Sequence, residues 1–281
     1  MTFFLFNFKI DNVIMEKNHK YSLNNIYKLS QDQINFYEKN GFCLLRNVLS
    51  NGEVKYYRDI IDHAVSIRSG HDKRTLSQKS FYERAFTQCG HLWSEFPDVM
   101  EFTTSKRLAG IAKQFFRGKH ARLWHDQALY KLPGGSITEP HQDMAYWPML
   151  DRNAGTIWVA LSEASIEMGA MFFIPGTHKL AIDSWNHKLK ENSDLLDRLP
   201  EYLKKKAIAY DLKPGDATFH HGLTIHYTGE NKTDVIRKAM CVIYFPDGVR
   251  YDANSPEAHH HCAAGTKHGE PIATGKNPIL A

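Results

Sequence analysis

The sequence predicts an α+β fold, mainly β, with helices from the N-terminal third packed outside a β barrel or sandwich. Two observations carry this. Capped segments of helical period come first, and after residue 120 short apolar runs broken by Gly and Pro turns take over. A third observation, that no internal repeat, low-complexity tract or linker interrupts the chain, makes residues 28–281 one domain behind an N-terminal extension over 1–27. A chain of 281 residues is long enough for a single large core.

The elements follow in order. Ser30-Gln31-Asp32-Gln33 is a capping box, in which the Ser30 side chain caps the helix and Gln33 reaches back. The short helix behind it carries Ile34 and Tyr37 and stops at Asn40-Gly41. Phe42 to Leu45 then reads as a short apolar strand. Ser50-Asn51-Gly52-Glu53 opens a second helix with Val54, Tyr57, Ile61, Ala64 and Val65 on one face, ending near Ser69-Gly70. A third helix is predicted over 105–117, with Leu108, Ile111, Ala112 and Phe115 on one side and Gly118 beyond it. Strands are predicted over 121–132, 156–161, 170–174, 217–219 and 239–245, most of them closed by Pro-Gly or Pro-Asp-Gly turns. Residues 182–206 read as a polar insertion of helical character.

Composition excludes several classes. Hydrophobic residues at 42% and charged residues at 23% are those of a globular protein, not of a disordered one. No apolar run is long enough for a transmembrane helix, so no membrane role is expected. The stretch Met1 to Lys9 is apolar but lacks a basic lead and a small-residue cleavage site, which argues against a secretory signal and leaves Met15 as an alternative start. The last residues, Pro278-Ile279-Leu280-Ala281, are not a peroxisomal or ER address. Four scattered cysteines with no Cys-x-x-Cys read as free thiols in a reducing cytoplasm. The net charge of +4, with no basic block interleaved with aromatics, argues against nucleic acid and suits a small-molecule substrate, including an anionic one.

One segment carries chemistry. In Glu139-Pro140-His141-Gln142-Asp143, the His and the Asp are two residues apart. On a strand such residues share a face, so both can reach one metal. The third ligand must come from elsewhere, and a late segment supplies His220, His221 and His226. Two imidazoles and one carboxylate form the facial triad of non-heme Fe(II), which leaves adjacent positions for an oxoacid and O2.

The chain resembles the phytanoyl-CoA dioxygenase family of Fe(II)/2-oxoglutarate oxygenases, from about residue 28 to 250. The likeness runs through Gln33 to Phe42, Leu44 to Leu49, His141-Gln142-Asp143, Trp158 to Leu161 and Phe173 to Lys179. It continues in Gly215-Asp216, His226 to Thr233 and Arg237. Met168-Gly169 stands where the family usually has Asn-Gly, and Thr228 where many members have Ser. The resemblance implies a double-stranded β-helix, a jelly-roll or cupin-like barrel with flanking N-terminal helices. It implies His141, Asp143 and His226 as iron ligands, with His220 and His221 as satisfied or partly exposed histidines. It assigns Arg237 to the distal carboxylate of 2-oxoglutarate, where the planar guanidinium can pair bidentately. Thr228 would add a hydroxyl to the same carboxylate, and Gln142 and Trp158 would line the cosubstrate pocket. The implied reaction is hydroxylation of a C–H bond of a small molecule with O2, as 2-oxoglutarate is decarboxylated to succinate, with ascorbate as reductant. Asp143 argues against halogenation, since related halogenases carry a small residue there. Desaturation or ring closure on the same cofactor set, and a cupin-like metal enzyme without 2-oxoglutarate, are the alternatives.

Other side chains have plainer readings. His259-His260-His261-Cys262 is expected to be a polar loop near the barrel mouth, with a second metal site as the sharper alternative. Tyr146 and Trp147 are substrate-pocket or core aromatics, and Trp124, His125 and Asp126 divide evenly between two readings, one or two of them facing the pocket or all of them packing structurally. Arg122, Lys131 and Arg152 are expected to be solvated surface charges, with binding of an anionic substrate as the alternative.

Overall fold

A computed structural model describes residues 21–180, 191, 193–256 and 259–281. The first 20 residues of the expected extension, and residues 181–190 and 192 of the polar insertion, lie outside the described residues. Within residues 21–27, Leu23 is buried in the main core, and its carbonyl accepts from the Arg107 backbone N–H.

Helix α1 (Gln31–Asn40) starts on the Ser30/Gln33 capping box and ends at Gly41, whose φ of 85° is left-handed. A side chain there would also run into His178 and Thr224, so glycine is required twice over. Strand β1 (Phe42–Leu45) follows directly. Helix α2 (Asn51–Ser69) has the Ser50/Glu53 box and buries the expected face. The stretch 81–103 holds four elements that the sequence did not announce: α3 (Phe81–Ala85), β2 (Thr87–Gly90), a 3-10 turn over Leu92–Ser94 and α4 (Pro97–Thr103). Helix α5 (Lys106–Phe115) is capped by Ser105 and buries Leu108, Ile111, Ala112 and Phe115.

The remaining strands are β3 (Ala121–Lys131), β4 (Thr138–His141), β5 (Gly155–Ala160), β6 (Met171–Phe173), β7 (Ile208–Ala209), β8 (Ala217–His221), β9 (His226–Thr228) and β10 (Arg237–Pro246). They form a six-stranded sheet, β1-β8-β5-β10-β3-β2, and a four-stranded sheet, β4-β9-β6-β7. Every pairing is antiparallel. What remains of the polar insertion includes helix α6 (Glu201–Lys204), with Leu195, Leu199 and Leu203 buried against Ile174 and Ile225.

Strand alternation divides the large sheet into two faces. Ile157, Val159, Met240, Val242 and Tyr244 point to the helices and join the main core. Trp158, Ala160, Ala239 and Cys241 point the other way and pack with Met171 and Phe173 of the small sheet. The result is a jelly roll whose inter-sheet space widens at one end into a cavity. Among the described residues no helix is long and apolar enough to cross a membrane.

Candidate metal centre and cosubstrate pocket

His141 is the last residue of β4, while Asp143 opens a 3-10 turn over Asp143–Tyr146. The expectation that both lie on one strand is corrected to that extent. The alternation survives because Gln142 between them keeps an extended backbone, φ −122° and ψ 126°. His226 opens β9 and lies opposite His141 in the strand register. Cross-strand pairing thus brings two residues 85 positions apart in sequence to one point. Asp143 Oδ1 lies 3.6 Å from Nε2 of both His141 and His226.

Hydrogen bonds orient each group. His141 Nδ1 meets the Glu139 carbonyl at 2.8 Å and His226 Nδ1 meets the Thr224 carbonyl at 3.0 Å. A carbonyl only accepts, so each Nδ1 carries the proton and each Nε2 turns a lone pair inward. The second oxygen of Asp143 accepts from Thr156 Oγ1 at 3.0 Å and from His220 Nε2 at 3.1 Å. Thr156 and His220 are themselves cross-strand partners on β5 and β8. Burial lowers the His141 imidazole to about 4 and also lowers that of His226, so both are neutral near pH 7. Burial works to raise the Asp143 carboxyl, and the hydrogen bonds that its second oxygen accepts from His220 and Thr156 work against burial and favour the ionised form. Two neutral imidazoles and one carboxylate oxygen converging on a point match the donor set of Fe(II).

Of the two other late histidines, His220 does more than sit satisfied. It is buried and holds Asp143 in place. His221 is turned away, its Nδ1 accepting from the Leu223 backbone N–H at 3.1 Å.

Arg237 opens β10, opposite Lys131 of β3. The residue is 1% exposed, and its guanidinium lies 5.2 Å over the Trp158 ring and donates to the Gly169 carbonyl. Its Nε has no hydrogen-bond partner among the described residues. Burial lowers it only to about 10, so it stays charged. A buried cation with no carboxylate partner among the described residues is built for an anion. Thr228 Oγ1 donates to Thr138 Oγ1 at 2.9 Å and accepts from the Thr138 backbone N–H. The two hydroxyls act as a pair, and Thr138 was not singled out from sequence.

Two sequence readings are corrected here. Gln142 does not line the cavity. It is fully buried with its side chain opposite to those of its neighbours, and its Nε2 donates to the Leu223 carbonyl at 2.6 Å. The alternation that aims His141 and Asp143 inward aims Gln142 outward. Lys131 is not a solvated charge. It is fully buried, with Nζ on the Ser136 and Gly229 carbonyls, and burial together with the Arg237 charge lowers it to about 7. Gly169, at φ 76°, leaves room for the Lys131 side chain that a Cβ would obstruct. Arg122 instead pairs with Asp247.

At the other end of the cavity β3 contributes His125, Gln127 and Leu129. Of the trio Trp124, His125 and Asp126, only His125 faces the cavity. Trp124 packs with Phe245 in a separate cluster, and buried Asp126 accepts from Thr103 Oγ1 at 2.7 Å and the Trp93 backbone N–H at 2.9 Å. His125 Nδ1 meets the Asp126 carbonyl at 3.2 Å, and its buried Nε2 has no partner among the described residues. Burial lowers this imidazole to about 3, so Nε2 offers a lone pair and not a proton. Tyr146, Trp147 and His259 also line it, together with Tyr82, Phe86 and Gln88, which the sequence did not single out.

Comparison with known proteins agrees with this geometry. A family model described as Phytanoyl-CoA dioxygenase (PhyH) matches residues 37–239. A probable phytanoyl-CoA dioxygenase from Caenorhabditis elegans is 27% identical over 242 residues, covering 79% of this chain and 77% of its own. The non-heme alpha ketoglutarate dependent carbocyclase SnoK from nogalamycin biosynthesis superposes with a TM-score of 0.76 at 25% identity, covering 90% of this chain and 97% of its own. EctD from S. alaskensis, solved with 2-oxoglutarate and 5-hydroxyectoine, has the same fold. It gives a TM-score of 0.70 at 19% identity and covers 90% of each chain.

Proposed function

The chain belongs to the phytanoyl-CoA dioxygenase family, and from that premise we propose that it uses its buried triad and arginine to oxidise a C–H bond of a small molecule. It is a non-heme iron oxygenase that depends on Fe(II), 2-oxoglutarate and O2. In this reading His141, Asp143 and His226 hold the iron and Arg237 receives the distal carboxylate of 2-oxoglutarate. The single observation that carries it is the pairing of a converged His/Asp/His set with a buried, carboxylate-free guanidinium lining the same cavity.

Bound there, the metal would supply O2 activation coupled to decarboxylation of 2-oxoglutarate to succinate and CO2, with ascorbate as an auxiliary reductant. The chain's own groups do the rest. Thr156 and His220 hold one Asp143 oxygen so that the other faces the two Nε2 atoms. Arg237, steadied by Trp158 and the Gly169 carbonyl, fixes the cosubstrate's orientation, with the Thr138/Thr228 hydroxyls beside it. The buried walls exclude water from the reacting groups. His125, in the middle of β3, would accept a hydrogen bond from a substrate hydroxyl or N–H group.

Hydroxylation is the first reading of the outcome. Oxidative ring closure is the second, supported by the carbocyclase likeness. Four free, buried cysteines support a reducing compartment such as the cytoplasm. The test is succinate release by the purified chain with Fe(II), ascorbate, O2 and a panel of small molecules, followed by product mass. A gain of one oxygen indicates hydroxylation, and a loss of two hydrogens indicates ring closure or desaturation. Arg237→Leu should raise the KM for 2-oxoglutarate by about 100-fold and leave Fe(II) affinity intact. Absence of succinate with every compound, together with unchanged Fe(II) affinity in His226→Ala, would overturn the reading.

A further inference from the structure

A second convergence of metal-binding atoms lies one imidazole beyond the cavity. The His91 ring centroid is 5.0 Å from that of His125, which lines the cavity, and the His261 ring is 4.9 Å further on. His91 follows β2 in a left-handed backbone conformation, φ 59°, which a non-glycine residue rarely holds without a reason. His261 and Cys262 come from a 3-10 turn, His260–Ala263, near the C-terminus. The tertiary fold therefore closes a gap of 170 residues to bring these groups together.

The distances are informative. His91 Nε2 and His261 Nε2 are 3.0 Å apart, and Cys262 Sγ is 3.5 Å from His261 Nε2. All three atoms lie within 4.8 Å of one another. Tetrahedral Zn(II) bonds to imidazole nitrogen and thiolate sulfur imply ligand edges of about 3.3 Å between nitrogens and about 3.6 Å between nitrogen and sulfur. The observed spacings are close to both. The donors are two imidazoles and a buried thiol that forms no disulfide, a borderline-soft set that suits Zn(II) and not Mg(II) or Ca(II). No acidic residue belongs to the cluster, and Lys276 reaches the His261 carbonyl at 3.2 Å. Charge balance would therefore come from Cys262, which gives its proton to solvent as the metal binds.

We propose that His91, His261 and Cys262 form a second metal site, separate from the iron triad, that takes a zinc-type divalent cation and ties the C-terminal segment to the wall of the cavity. The tie has structural consequence. The His91 backbone N–H bonds the Asp126 carbonyl, which also meets His125 Nδ1, and His259, two residues before His261, lines the cavity. An ion here would thus fix two sides of the substrate end at once.

Cobalt(II) separates the two sites, because only a sulfur ligand gives a thiolate-to-cobalt charge-transfer band. Titration of the chelator-stripped full chain should raise such a band to the intensity of one thiolate ligand by the time two equivalents are bound, the second equivalent being sulfur-free, and Zn(II) but not Mg(II) should bleach it. The band should vanish in Cys262→Ser and in His91→Ala and persist in Asp143→Ala. Retention of one sulfur-free cobalt equivalent in Cys262→Ser would show that this variant is folded. A wild-type chain with no thiolate band overturns the proposal. So does a band that survives in Cys262→Ser, which would point to Cys241 in the cavity, or one that disappears in Asp143→Ala.

Discussion

Asp143 divides its two oxygens between two tasks. One faces the Nε2 atoms of His141 and His226, and the other is held by Thr156 and His220. A carboxylate fixed in this way presents its lone pair without a search. Removing a partner that fixes a ligand lowers metal affinity by about 10- to 100-fold, so His220→Ala should weaken Fe(II) binding by that much, read by equilibrium titration, while the fold persists. Lys131 offers a second residue-scale test. Its charge is present below about pH 7 and is lost as pH rises through that value, because burial and Arg237 both disfavour the proton. The KM for 2-oxoglutarate should therefore rise several-fold as pH climbs through about 7, and Lys131→Met should flatten the profile at the high-KM level. At this scale the sequence was informative for His141, Asp143, His226 and Arg237, whose order and spacing form a motif. It was silent on Thr156 and Thr138, counted His220 only among the satisfied or partly exposed histidines, and was misleading for Lys131, because a lysine beside a Pro-Gly-Gly turn reads as surface.

Strand β3 shows how an element aims its side chains. It begins with Ala121 and Leu123 buried in the main core, yet His125, Gln127 and Leu129 of the same parity face the cavity. The register with β10 jumps between Ile243 and Tyr244, where His125 and Leu123 are the successive partners. Trp124 is the extra residue of this bulge, and one extra residue flips the alternation that follows. A pattern read without the bulge assigns the wrong face to half of the strand. Helices α1, α2 and α5 were legible because their caps are local, with Ser30, Ser50 and Ser105 each accepting from a backbone N–H three residues on. Ser50→Ala should lower stability by about 1 kcal/mol, seen as a reduced denaturation midpoint with unchanged turnover. Elements α3, β2 and α4 were missed because segments of four to seven residues carry too few repeats of any period to declare one.

The whole molecule gathers histidines into low-dielectric surroundings. Burial lowers His125 and His221 to about 3 and His141 to about 4. In the unfolded chain these imidazoles take protons near pH 6.5, while in the folded chain they resist until far lower pH. Their contribution to stability is complete above about 6.5 and declines as pH falls toward 4 by roughly 1.4 kcal/mol per unit for each histidine. Asp126, raised to about 6 by burial, works in the opposite direction, but it is one group against three. The metal-free chain should therefore lose thermal stability steeply between about pH 6.5 and 4. A flat melting profile across that range would contradict the burial of these imidazoles. Fe(II) loading should flatten the upper part of the decline, because a metal-bound imidazole has no lone pair to protonate.

What depends on near neighbours is legible along the chain: the capped helices, the turn-punctuated strands, and the spacing that lets His141 and Asp143 face one point. Only the tertiary structure decided the pairings across strands and loops. These are Thr156 and His220 on Asp143, Lys131 beside Arg237, Gln142 turned outward, and His91 against His261 and Cys262. The physical reason is register. A strand states which residues share a face, but which residues stand opposite them depends on how distant strands align and where a bulge interrupts, and no local spacing encodes that.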